Sequence, residues 1–481
     1  MLENRLRGLL ERRQQSYEQL RDEADDEVID HGVPCSDSGL LEDYVSSPFS
    51  WLEYSIFFWM GMNMLWAWNM FLAAAPYFQL RFASNPWVKA NFQSCILSVS
   101  SIVNLAAVLV LAKLQMNASY PGRITSSLIL NMVIFTLLAL SAILFRSASV
   151  PIYFTFLLVM VLGASIATGY NQNGLFAYAS GFGRSEYMQA IMAGQGVAGV
   201  LPCIVQILSV IAVPEQSEGV SDKEMQYKSS KSAFAFFITA TLVSAISFLA
   251  FLYLHRRQKK LTLFKTAIPI GPSDEEPEFS TTNITTTTTT TTKARDSVPL
   301  WTLFQKLRWM ALAVFLCYAI TMAYPVFTNQ IRSVRDTTNT GPTPTKPLPR
   351  LFQSPIFIPL AILFWNTGDL VGRLILLIQQ INIHHRPVLL FLFSVVRIGF
   401  IPLYMLCNIH GRGAWINSDL FYLVIVQFLF GVSNGYIGAS CMMGAGEWVD
   451  VEEREAAGGF MGFMLVAGLT SGSLLSFSVA N

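Results

Sequence analysis

Long apolar runs alternate with short polar breaks along this chain, and the runs share a common length. About 20 apolar residues in a helix cross the hydrocarbon core of a bilayer. Eleven stretches meet that requirement: 54–78, 93–113, 124–145, 152–181, 187–213, 232–254, 307–328, 354–381, 388–408, 419–444 and 455–479. Between the sixth and the seventh lies a long polar insert, roughly 255–300, which opens with His255-Arg-Arg-Gln-Lys-Lys260 and contains threonine at every position of 285–292. Such a composition cannot bury a core, so a disordered linker is predicted there. The pattern predicts an all-α membrane protein of eleven transmembrane helices in a six-plus-five arrangement. Its parts are a polar tail at 1–50, a six-helix half at 51–254, the linker at 255–300 and a five-helix half at 301–481.

Composition supports a membrane protein. Of 481 residues, 53% are hydrophobic and 13% charged, with a mean hydropathy of +0.45; soluble domains carry about 25% charged residues. A net charge of +1 gives no reason to expect a nucleic-acid partner. Five of the six cysteines (Cys95, Cys203, Cys317, Cys407 and Cys441) sit in apolar stretches with no metal or disulfide spacing, so no metal or cofactor is predicted. The first fifty residues lack an apolar core, and no cleavable signal is predicted. Lys and Arg are more frequent in the alternate segments that share a membrane side with the N-terminus than in those opposite, which predicts a cytosolic N-terminus and a cytosolic central loop. An odd number of spans then puts the C-terminus on the other side.

The polar residues inside the spans carry the chemistry. Within the eighth span, Asn366, Asp369 and Arg373 follow at spacings of three and four. An ionised group at a bilayer centre costs roughly 2.5–3.5 kcal/mol on insertion scales, so it faces a partner or a wet cavity. The spacing puts all three on one helix face, with the acid N-terminal to the base, the favourable order. One reading is a buried structural tie, but desolvating both ions offsets most of their attraction. A site for an uncharged, hydroxyl-rich solute accounts for the residues better. Asp369 is the only carboxylate in the middle of a span, and a paired, ionised acid is a poor proton carrier. No Walker loop or hydrolase motif appears, so passive carriage is what remains.

Other positions leave two readings open. Trp66-Ala-Trp68-Asn69 fits either an interface belt or an interior wall. Tyr170-Asn171-Gln172-Asn173 fits either hydrogen bonds between helices or contact with a solute; Ser433-Asn434-Gly435-Tyr436 is equally ambiguous. Arg397 in the ninth span fits either neutralisation of a carbonyl cluster or the lining of an inner vestibule, and the structural role is the expected one. Gly194-Gln-Gly196-Val-Ala-Gly199 matches a dinucleotide fingerprint by letters, but it lies in an apolar run with no preceding strand. Those glycines, like Gly458, Gly462, Gly468 and Gly472, suit close helix packing or the sliding of one helix on another.

The ordered motifs resemble the equilibrative nucleoside transporters, in particular their fungal branch. They are Trp68-Asn69 through Phe78, Pro121-Gly-Arg123-Ile, Gln172-Asn-Gly-Leu-Phe176 and Ile191 through Gly196. Then follow Asn366-Thr-Gly-Asp369-Leu-Val-Gly-Arg373, Arg397 through Pro402, Ser433 through Tyr436 and Glu455-Ala-Ala-Gly458. The departures are Ala67, where many animal members have proline, and the amide-rich run at 171–173. The resemblance implies a major-facilitator-like fold and facilitated diffusion of nucleosides such as adenosine and uridine, with nucleobases as a possible extension. A carrier for another polyol and a non-transporting receptor are the competing readings. It further implies that Asp369, Arg373 and Asn366 meet the ribose and Gln172 the base edge. Trp68 would stack on the base, with Leu65 and Leu72 as apolar wall. Arg123 and Glu455 would form a gate that joins the halves on the cytosolic side. A vacuolar or other endomembrane location, or the plasma membrane, is compatible with the family.

Overall fold

The structure, a computed structural model, describes residues 49–115, 118–212, 222–267, 298–323, 325–335 and 349–480. The tail at 1–48 and most of the predicted linker, 268–297, lie outside the described residues. Among the described residues, eleven helices are long and apolar enough to cross a membrane. In chain order they are α1 (Trp51–Arg81), α2 (Pro86–Lys113), α3 (Tyr120–Leu144), α4 (Val150–Ser180), α5 (Ser185–Leu208) and α6 (Tyr227–Lys260). After the central segment come α7 (Leu300–Met322), α8 (Ile356–Ile375), α9 (Pro387–Met405), α10 (Phe421–Glu447) and α11 (Val451–Ser476). The sixth helix does not end at 254: its parent helix runs Asp222–Ala267, through the basic segment. Lys, Arg and Gln are good helix formers, so the helix continues beyond its apolar stretch.

Local chemistry starts several of these helices. Asn85 caps α2 by accepting from the Val88 amide at 3.2 Å, with Pro86 in the first turn. Ser119 does the same for α3 through the Gly122 amide, with Pro121 behind it. Both combine an oxygen that satisfies an orphan N–H with a proline that has none to satisfy. The first eight residues of α10, Phe421–Phe428, are wound as π-helix before the α-helix Leu429–Gly444.

The helices alternate in direction and so define two faces. The first face holds the start of α1, the α2–α3, α4–α5 and α8–α9 connections, and the α10–α11 turn. The second holds the α1–α2, α3–α4 and α9–α10 connections and the end of α11. Within the N-terminal half α1 packs on α5 and α2 on α4; six helices later α7 packs on α11 and α8 on α10. This repetition marks two halves built on a common plan. They touch where α5 meets α8 and α10, and where α11 meets α4 and α2. One apolar core, near the first face, draws on both halves through Phe57, Tyr187, Leu307 and Phe460. The other two are separate: Phe71, Phe135 and Phe237 belong to the N-terminal half, and Phe357, Tyr404 and Phe430 to the C-terminal half. The halves are sealed at the first face and apart at the second.

Candidate functional site

The α8 stripe lies on the seam between the halves. Asp369 Oδ2 accepts from Arg373 Nε at 2.8 Å, and Asp369 Oδ1 accepts from Asn434 Nδ2 of α10 at 2.6 Å. Arg373 Nη1 crosses to α5, donating to the Met192 carbonyl at 2.6 Å and to Gln195 Oε1 at 3.1 Å. Gln189 of α5 answers by donating to the Arg373 carbonyl at 3.3 Å. Asn366 Nδ2 reaches Cys203 Sγ, also on α5, at 3.4 Å. Asp369 and Arg373 are both buried, and a buried ion pair needs such further hydrogen bonds to offset its desolvation. The stripe ties its own half through Asp369 and the opposite half through Arg373.

Glycines make the contact possible. A Cβ on Gly196 would lie 3.3 Å from Arg373 Cδ, and one on Gly199 2.8 Å from Asn366 Oδ1. The letter-match to a dinucleotide loop is therefore a helix-packing surface.

Above the stripe, toward the second face, a cavity of about 520 Å³ opens between the two separate cores. Its wall includes Trp68 and Leu72 from α1, Phe92 from α2, Trp365 from α8, Tyr404 from α9 and Gln427 from α10. The volume falls in the range of small-molecule sites, ~300–1,000 Å³. Trp365 precedes Asp369 by one helical turn, so the cavity floor adjoins the ion pair. Two predicted residues, Trp68 and Leu72, line the cavity; Leu65 is half-buried on the same helix and stands outside the lining. Asn366, Asp369 and Arg373 are held behind the floor by their α5 and α10 partners.

Gln172 is buried on α4, where its Oε1 accepts from Asn104 Nδ2 of α2 at 3.1 Å. That hydrogen bond stays within the N-terminal half and does not reach the α8 stripe. The two predicted gate residues, Arg123 and Glu455, both reach α4. Arg123 donates to Asn173 Oδ1 and to the Leu111 and Leu114 carbonyls, all in its own half. Glu455 crosses to the N-terminal half and packs on Gly181, where a Cβ would be 2.5 Å from its Oε1. Arg397 donates to the Cys317 carbonyl at 2.7 Å, to Thr321 Oγ1 and to Ser433 Oγ, and lies over the Phe430 ring. These are contacts within one half, as a structural role requires.

Residues 157–480 match the family model described as "Nucleoside transporter". The chain belongs to the nucleoside transporter family. It is similar to the nucleoside transporter FUN26 of Saccharomyces cerevisiae, 29% identical over 89% of this chain and 83% of that protein. Equilibrative nucleoside transporter 2 of Mus musculus is 26% identical over 88% of this chain and 95% of its own length. Among solved structures, a bacterial homologue of the iron transporter ferroportin superposes with a TM-score of 0.52 at 12% identity, over 90% of this chain and 92% of its own. The major facilitator FucP gives 0.50 at 15% identity, over 89% and 96%. At such identities the likeness is to the fold, and the fold is that of the major facilitators. The chain is an integral, multi-pass membrane protein.

Within this family fold, several polar residues escape a reading of the sequence. Gln195 sits inside the glycine run and reads as a spacer, yet it receives Arg373. Gln427 reads as one amide in an apolar span, yet it donates to Thr328 Oγ1 at 2.9 Å and Tyr422 Oη at 2.8 Å in the cavity wall. The available signal was generic: an amide within hydrocarbon needs a partner.

Proposed function

We propose that this protein carries nucleosides, adenosine and uridine among them, down their concentration gradient by alternating access. The observation that carries this reading is the hold of Arg373 on α5 of the opposite half, directly beneath a cavity open toward the second face. A ribose diol offers both donors and acceptors. It can accept from Arg373 and donate to Asp369, replacing the Gln195 and Met192 contacts without leaving either ion unpaired. Asn366 supplements the sugar contacts. Gln172 offers donor and acceptor to either class of base edge, Trp68 a stacking face, and Leu65 and Leu72 an apolar wall. Because Arg373 is also a tether between the halves, exchanging its partners for substrate couples binding to the opening of the first face.

The first face is assigned to the cytosol on the excess of Lys and Arg in its segments. Arg123 and Glu455 restrain that face by gripping α4 from two sides. The membrane is the plasma membrane or an endomembrane such as the vacuole, which imaging of the tagged full chain separates. Uptake of radiolabelled adenosine, uridine and glucose by the purified protein in liposomes tests the main reading. Saturable uptake of the two nucleosides, with none of glucose, is expected; glucose uptake or no uptake would overturn it.

A further inference from the structure

Away from the stripe and the cavity, the α8–α9 connection brings two histidines to the end of α10 at the first face. His384 Nε2 lies 2.9 Å from Glu447 Oε2, and His385 Nδ1 lies 3.4 Å from the same oxygen. The three potential ligand atoms fall within 4.8 Å of one another, and the imidazole centroids are 3.8 Å apart. Nothing in nucleoside carriage uses these groups.

The arrangement is held by its surroundings. The His384 amide donates to Asn382 Oδ1 at 3.2 Å, and the Arg386 amide closes a turn on the Ile383 carbonyl at 2.9 Å. Tyr436 of α10 donates to the Ile381 carbonyl at 2.6 Å, fixing the connection to the helix that bears Glu447. Gly444 admits the histidine: a Cβ there would come within 2.7 Å of His384 Cβ. A neutral imidazole is the form that presents a lone pair to a metal.

We propose that His384, His385 and Glu447 bind a divalent transition-metal ion of the zinc class, with water completing the coordination. Two histidines and one glutamate are an established zinc ligand set, and bonds of ~2.0–2.2 Å around a tetrahedron place adjacent ligand atoms ~3.3 Å apart. Two of the three ligand pairs, at 2.9 and 3.4 Å, bracket that value, and the third lies within 4.8 Å. Imidazole ligands favour zinc, copper or nickel over magnesium and calcium. A bound ion ties the α8–α9 connection to the end of α10, the two helices that carry Asp369 and Asn434. It stabilises that pair by mass action.

The test is titration of metal-stripped, full-length protein in detergent with Co²⁺, followed by displacement with Zn²⁺. A tetrahedral d–d absorption without thiolate charge transfer is expected, together with a rise in melting temperature. His384→Ala, His385→Ala and Glu447→Gln should each weaken binding by at least the ~10–100-fold that loss of an outer partner costs at metal sites. His385→Ala removes an exposed side chain, and retained nucleoside uptake by this variant reports an intact fold. Equal affinity and stoichiometry in the wild type and all three variants would overturn the proposal, as would a thiolate band or no binding by wild type.

Discussion

Two of the glycine seams in the molecule, α8 on α10 and α5 on α8, differ in what their glycines touch. Inside the C-terminal half, where α8 packs on α10, a Cβ on Gly372 would lie 2.2 Å from the Val432 carbonyl oxygen, and one on Gly435 1.9 Å from that of Asp369. Where α5 meets α8 between the halves, the approach is looser: a Cβ on Gly196 would lie 3.0 Å from Leu370 Cδ1 and 3.1 Å from its Cα, and one on Gly199 would meet only the Asn366 side chain, at 2.8 Å. Backbone cannot retreat, whereas a side chain can rotate. The first seam welds helices into a rigid unit; the second leaves an interface whose parts can shift. The two membrane arginines divide the same way, with Arg397 spent inside one half and Arg373 reaching across to the other. Rigid halves joined by an adjustable seam are what a rocking carrier needs.

The strongest way to break this comparison is through the ion pair, which belongs to both seams. Asp369→Ala and Arg373→Ala each leave a buried charge without its partner, an effect of about 3–5 kcal/mol. Both are expected to abolish adenosine and uridine uptake while the protein still inserts, as read by surface labelling and by radiolabel uptake. Normal transport by correctly inserted single variants would remove the pair from the site.

The seams themselves come next. Gly435→Ala forces α8 and α10 apart, and overpacking of this kind costs typically ~1–3 kcal/mol. The melting temperature of the purified protein should fall by several degrees, about what such a loss produces. Gly199→Ala meets only the Asn366 amide, so its melting temperature should stay close to wild type while the rate of uptake drops. Equal destabilisation by the two substitutions would erase the distinction between the seams.

Much of this was legible in the sequence, for identifiable reasons. Eleven apolar runs of bilayer length can form little other than membrane helices, and Asn366, Asp369 and Arg373 declare a common face by spacing alone. Helix ends were less legible. Trp51, Trp87 and the basic residues after Leu254 extend helices beyond their apolar stretches, where hydropathy carries no signal. The crossing of Arg373 to α5 was hidden because one of its acceptors is a backbone carbonyl, that of Met192, which no side chain marks. The cavity was hidden for a related reason: its wall is drawn from both halves, and no single stretch encodes it. Arg123 and Glu455 carried recognisable motifs, but their partners depend on how α3 and α11 meet α4.

A smaller effect is expected at Gln172, which sits within one half and away from both seams. Gln172→Ala removes the acceptor of Asn104 and an amide suited to a base edge. The apparent KM for nucleosides should rise by about tenfold, the equivalent of one hydrogen bond of ~1.4 kcal/mol, with insertion unchanged. Competition by free nucleobases should weaken in parallel, while competition by ribose should not. An unchanged nucleobase affinity would assign the base edge to another residue.

The finest distinction lies at the first face, where Arg123 and Glu455 hold α4 at two points. Arg123 Cβ lies against Gly174 and the Glu455 carboxylate against Gly181, seven residues or about 10 Å further along the helix. Arg123 binds α4 to α2 and α3 of its own half, whereas Glu455 is the contact that crosses between halves. Opening the first face must break the second contact but can leave the first intact. Glu455→Ala should therefore raise the reactivity of cysteines introduced along the first-face side of the α4–α11 contact, and Arg123→Ala should raise it less. Because the two side chains grip different turns, exchanging their charges should not restore the wild-type pattern. Rescue by Arg123→Glu with Glu455→Arg would show that they pair directly in another state, and unchanged reactivity in both single variants would show that neither restrains this face.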